Sequence, residues 1–216
     1  MASTNAAVAQ FAQTLLSLTV YRHLNVLRFV SDAAAQENLT PTPVDMNQIL
    51  MSLGDEFDAE LTDDEKALCR KFKAGRSVRE RYIEKPDLAL DMSEEDKEEL
   101  SIAERNVPNM VQKMMRLMYQ FRFPDIVCIT TASLLNTLAT PGGALTDTDS
   151  TDDTEEIEDS QYLYQVLIGD EGSQIPEPAL VAVSNRLPLA QQMYIGDVYQ
   201  LEPHATRRLP RMEHVE

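Results

Sequence analysis

Between Thr146 and Ser160 the chain carries Asp147, Asp149, Asp152, Asp153, Glu155, Glu156, Glu158 and Asp159, no basic residue, and Ile157 as its one large apolar side chain. Such a segment cannot bury enough apolar surface to offset the entropy of ordering its backbone. The chain is therefore expected in three parts: a helical body over 1–143, an acidic linker over 144–160 and a C-terminal segment over 161–216. The fold class this predicts is mainly α, at most α+β, with short strands or extended pieces confined to the last part.

Within the body, Phe11, Leu15, Leu18, Arg22 and Val26 step by three or four, with Leu16, Val20, Leu24, Leu27 and Val30 beside them. That spacing predicts one long helix from about Ala6 to Ala35, ended by Asn38, Pro41 and Pro43. A short amphipathic segment, Val44–Leu53, follows and stops at Gly54. Thr62-Asp63-Asp64-Glu65 has the form of a capping box, in which the threonine hydroxyl and the glutamate carboxylate each accept from the other's amide. Gly75 reads as the residue just past the end of that helix, and a second charged helix is expected over Ser77–Lys85. Ser93, followed by Glu94, Glu95 and Asp96, is another start, since acids suit the positive end of the helix dipole. Pro108 predicts an end near Asn106, with Asn109 opening a further helix. Ile126–Ala139 reads as a helix closed by Pro141-Gly142-Gly143, its β-branched beginning leaving a short strand as the alternative.

Beyond the acidic stretch the period changes. Tyr162, Tyr164, Val166 and Ile168 alternate with Leu163, Gln165 and Leu167, as in a strand. Gly169-Asp170-Glu171-Gly172 is a turn signal, and Ala179–Val183 and Met193–Leu201 read as further short strands. A proline-broken apolar extension of this kind docks on its own body or on a neighbour.

With 43% apolar residues the chain can form a sizeable core, and 19 basic against 36 acidic residues give a net charge of -17. That charge repels nucleic acid and anionic membrane, so nucleic acid is disfavoured as a partner. The uncharged stretches 1–21 and 126–146 are interrupted by polar residues, proline and glycine, and neither reads as membrane-spanning. Two cysteines are too few for a disulfide framework, which favours a reducing compartment. The expected location is intracellular and soluble, cytoplasmic or nuclear, with a virion included.

Catalytic signatures are missing from the sequence. No phosphate-binding glycine loop, nucleophile elbow or zincin pattern is present. His23, His204 and His214 do not pair with a cysteine at zinc-ligand spacing, and Asp147-Thr148-Asp149 lacks the glycine and terminal glutamate of a calcium loop. No cofactor or metal is expected, and the chain is not expected to be an enzyme. Cys69 and Cys128 read as buried structural thiols; Cys69, beside Arg70, Lys71 and Lys73, is the better nucleophile candidate because cations lower a thiol pKa.

Two groups of residues are candidate contacts. Met110, Met114 and Met118 recur at helical spacing, with Met115 beside them; adaptable thioethers suit core packing first and a helix-docking surface as the sharper alternative. With Tyr162, Tyr164 and Val166 of the C-terminal segment they form the expected partner-binding set. Arg70, Lys71, Lys73 and Arg76, continued by Arg79, Arg81 and Lys85, are the expected electrostatic contact, against the plainer reading of a solvated helix face. The functional expectation is a non-catalytic structural or assembly subunit of a larger complex, homo- or hetero-oligomeric, with a virion or phage component included. The alternatives are an acidic regulatory adaptor for a basic partner, and an enzyme whose carboxylates converge only in the fold.

Overall fold

The computed structural model describes residues 1–31, 40–84, 92–139, 164–197 and 199. The acidic stretch 144–160, Tyr162, Lys85 and the glycines after Pro141 lie outside them. The chain is mainly α with a small β component. Six α-helices stand among the described residues: α1 (Asn5–Ser17), α2 (Met46–Glu56), α3 (Asp63–Glu84), α4 (Glu94–Phe121), α5 (Thr131–Ala139) and α6 (Glu177–Arg186). Four short strands accompany them: β1 (Val26–Arg28), β2 (Ile126–Cys128), β3 (Val166–Gly169) and β4 (Gln191–Tyr194).

The expected long first helix is corrected. Helix α1 begins at a Thr4 cap, whose hydroxyl accepts from the Ala7 amide at 3.2 Å, and ends at Ser17. A 3₁₀ turn over Thr19–Tyr21 follows, and then β1, whose three residues are all buried. Strands of a parallel pair are apolar on both faces and so read as unbroken hydrophobic runs, which periodicity alone does not separate from a buried helix. The same ambiguity accounts for Ile126–Ala139, where the β-branched start is β2 and the remainder is α5.

Helix starts behave as expected, and internal stops do not. The Thr62 amide donates to Glu65 Oε2 at 2.8 Å, and the Glu65 amide to Thr62 Oγ1 at 3.4 Å. Ser93 and Asp96 close the same box on α4. Glycine 75, however, does not end α3, because it sits where α3 crosses α4: a Cβ there would lie 3.0 Å from Val107 Cγ2. Gly54 lies inside α2, and a Cβ on it would meet the Cys69 Cβ at 2.7 Å. Both glycines permit close helix approach instead of marking ends. Pro108 also lies within α4, on its exposed side. Fully buried Val107, Met114, Met115 and Met118 hold the helix through it against a local cost of about 3 kcal/mol.

Both strand pairs are parallel. Val26, Leu27 and Arg28 pair with Ile126, Val127 and Cys128, and Val166 to Gly169 pair with Gln191 to Tyr194. The first two residues of the chain join the pairs. Ala2 bridges Thr130 in parallel, its amide donating to the Ile129 carbonyl at 3.3 Å. On the other side the Met1 nitrogen donates to the Ile168 carbonyl, and the Asp170 amide to the Met1 carbonyl at 2.8 Å. Asp45 bridges Arg28 at the far edge, so the order in space is Asp45, β1, β2, Met1–Ala2, β3, β4.

Residues 164–197 thus fold onto the helical body. Leu167, Val183, Leu187 and Ala190 belong to the same core as Leu27, Leu53 and Met114, and Arg186 Nη1 donates to the Leu135 carbonyl at 2.8 Å. Residues 179–183, expected as a strand, lie in α6. Pro176 caps that helix and Pro178 falls in its first turn, where proline lacks a donor that the helix does not need.

Candidate docking cleft

The two parallel pairs bury their side chains differently. Along β3, Val166 and Ile168 are 55% and 43% exposed while Leu167 is buried beneath them. The register sets Ile168 beside Met193, and Met193 and Ile195 are 57% and 55% exposed. The ladder continues to Ile195, whose amide donates to the Gly169 carbonyl at 2.8 Å. Val166, Ile168, Met193 and Ile195 therefore form an aliphatic row on one open face, because strand neighbours and alternate residues share a side of the pleat.

This face runs into a cleft of about 690 Å³. One wall is α1 and the turn after it, with Phe11, Leu15 and Tyr21; another is Phe123 leading into β2; the third is β3. The charged side chains in its lining are both acids, Asp125 and Asp170. Asp125 Oδ2 accepts from the Asn25 amide at 2.7 Å, and Asp170 Oδ1 from the Glu171 amide at 2.9 Å. Glu171 adopts a left-handed conformation (φ 53°), and its carboxylate accepts from the Ser3 hydroxyl at 2.9 Å, holding the turn after β3 against the chain's first residues. Tyr164 also lines the cleft. Its hydroxyl is buried with no hydrogen-bond partner among the described residues, and burial holds the phenol protonated well above the usual tyrosine range.

Of the expected partner-binding residues, Val166 lies on the open face and Tyr164 in the cleft wall, while Tyr162 is outside the described residues. Met110, Met114 and Met118 are corrected: all three are buried in the core, because α4 turns that stripe toward α2 and α3. The basic set divides. Arg70 and Lys71 are exposed on α3, Lys73 meets Asp55 at 2.6 Å, and Arg76 is buried and paired with Glu80 at 3.1 Å. Arg76 is thus part of the packing and is corrected as an electrostatic contact. Cys69 is the buried thiol its leading reading has it to be, and the case for it as a nucleophile falls: burial raises its pKa, and Glu65 and Asp55 add to the effect. Burial likewise pushes the Cys128 thiol up to about 11.

No protein-family model matches this chain, and no curated protein matches it. Among the described residues no helix is long and apolar enough to cross a membrane, and no three His, Cys, Asp or Glu side chains gather as a metal site. Sequence reading left Ile168, Met193 and Ile195 out of the candidate site. The alternation along β3 was the available signal, since half-buried strands alternate and fully buried ones do not.

Proposed function

We propose that the chain is a non-catalytic assembly subunit that docks a protein partner on the open face of β3–β4 and in the adjoining cleft. One observation carries this reading: a parallel strand pair with one face that the described residues leave uncovered. Parallel sheets occur almost only with both faces buried, so a missing layer implies material from elsewhere. Covering the exposed parts of Val166, Ile168, Met193 and Ile195 is worth on the order of 4 kcal/mol in hydrophobic transfer. Association alone costs about that much or more, so the cleft with Phe11, Tyr21 and Phe123 has to contribute to any stable complex. Large aromatic side chains beside an apolar row are the usual composition of a contact centre.

Hydrogen exchange tests the proposal. Amides of residues 164–195 and 11–24 are followed in the isolated chain and in the chain as it exists in extracts of cells that make it. Slower exchange in both segments, together with a mass above that of the isolated chain, is the expected result. Identical exchange in a chain that remains a monomer would remove the reading.

A further inference from the structure

Resting on that reading, we propose that the occupant is an amphipathic helix of a partner protein, apolar along one stripe and flanked by lysine or arginine. Helices already supply the cover elsewhere in this sheet. Helix α1 packs on β1 and β2, and α6 and its C-cap contribute Val183 and Leu187 to the core that holds Leu167 on the buried side of β3. The open row is aliphatic and lies on the sheet face, which suits anchors at i, i+3, i+4 and i+7 of a helix laid across it. A strand added at the edge of β4 would leave that row uncovered.

Charge decides the flanks. Asp125 and Asp170 are the charged side chains of the cleft; the Met1 ammonium, which donates to the Ile168 carbonyl, offsets one of them, and the whole chain stands at -17. A second copy of this chain would bring the same acids and the same net charge to the contact, which opposes self-docking. Basic flanks meet the acids, while the apolar stripe meets the row.

The probe is a synthetic Leu/Lys helix of about five turns, compared with a Leu/Glu peptide of the same apolar stripe. Binding to the full chain is read by fluorescence anisotropy at physiological salt. The Leu/Lys peptide is expected to saturate at one per chain, and the Leu/Glu peptide to bind at least about tenfold more weakly. The double substitution Ile168→Thr with Met193→Gln leaves the charge unchanged and is expected to weaken Leu/Lys binding by about tenfold or more. Val166→Thr, read separately, guards against a fold defect in the double variant, and circular dichroism checks both. Four results overturn the proposal: undetectable binding, equal binding of both peptides, binding unaffected by the neutral substitutions, or a dimer of the native chain that those substitutions dissolve. A steep gain in affinity on deleting 200–216 also overturns it, because the chain's own end would then be the occupant. Slowed exchange over 164–195 in the cellular assembly, combined with any of these failures, would leave the assembly reading standing and remove only the helix.

Discussion

β1–β2 and β3–β4 are the same motif, a parallel pair three or four residues long, yet β1 is enclosed and β3 is half open, with β2 between them: Cys128 is buried, and Ile126 and Val127 are half-buried in the cleft wall. Val26, Leu27 and Arg28 are all buried, with Asp45 bridging one edge of their pair, Ala2 the other, and α1 packed against it. Along β3, buried and exposed residues alternate, and the far edge of β4 has no strand beside it among the described residues. Parallel strands do not cover themselves; each face needs a layer from elsewhere in the chain or from another molecule. Where the chain supplies both layers, as at β1, the strand is buried along its whole length, Arg28 included. Where the described residues supply one, as at β3, the strand alternates, with Val166 and Ile168 keeping apolar side chains on the side those residues leave open.

Thiol chemistry gives a large expected contrast. Cys128 in β2 is buried and its thiol is raised to about 11, whereas Met193→Cys would place a thiol on the open face. A thiol reacts as its thiolate, and near about pH 8 each unit of pKa elevation removes roughly tenfold of that form. Native Cys128 should therefore alkylate at least about a hundredfold more slowly than Cys introduced at 193, measured by mass spectrometry of labelled peptides. Comparable rates would mean that β1–β2 opens as readily as β3–β4, and the comparison would collapse.

An effect of at least that size is expected at the buried ion pair of β1. Arg28 is 0% exposed; its Nη1 donates to Asp45 Oδ1 at 3.1 Å and to the Thr40 carbonyl at 2.8 Å, and its Nη2 to the Asn5 carbonyl at 3.2 Å. The Thr42 hydroxyl and amide also donate to the Asp45 carboxylate, so one guanidinium ties α1, β1 and the entry to α2. Arg28→Ala strands a buried carboxylate and should cost about 3–5 kcal/mol in urea unfolding. Lys73→Ala, at an exposed pair with Asp55, should cost at most about 1 kcal/mol in the same assay.

Legibility follows the same division. The Thr62–Glu65 capping box was readable because its hydrogen bonds form within four consecutive residues, and Ser93 was readable as a start from the acids that follow it, though its own box with Asp96 was not named. Gly54, Gly75 and Pro108 misled because each is a local stop signal, and the reasons the helices continue through them are tertiary: Cys69 across from Gly54, Val107 across from Gly75, and the buried methionines below Pro108. β1 was hidden inside an apolar run because enclosure erases alternation, whereas β3 was visible because one face is open. As for the site, Val166 and Tyr164 were reached through that alternation. Phe11, Tyr21 and Phe123 were not, since only the fold brings α1 and the entry to β2 beside β3.

Substitutions on matching strands sharpen the contrast further. Leu27→Ala removes a fully buried side chain from β1 and should cost about 2–5 kcal/mol. Val166→Thr keeps the β-branched shape on a half-exposed position of β3 and should stay within about 0.5 kcal/mol. Equal losses in denaturant unfolding would show that β3 is as enclosed as β1.

The smallest effect carries the most specific information, because its sign is unusual. Tyr164 enters β3 with a buried hydroxyl that no described group accepts from or donates to. Tyr→Phe at a paired site loses about 1 kcal/mol, whereas at an unpaired buried site it removes a desolvation penalty. Tyr164→Phe should therefore leave the thermal midpoint of the free chain unchanged or raise it by the equivalent of up to about 1 kcal/mol. A chain that loses stability on this change would already satisfy Tyr164 on its own, and the β3 side of the molecule would then be no less complete than the β1 side.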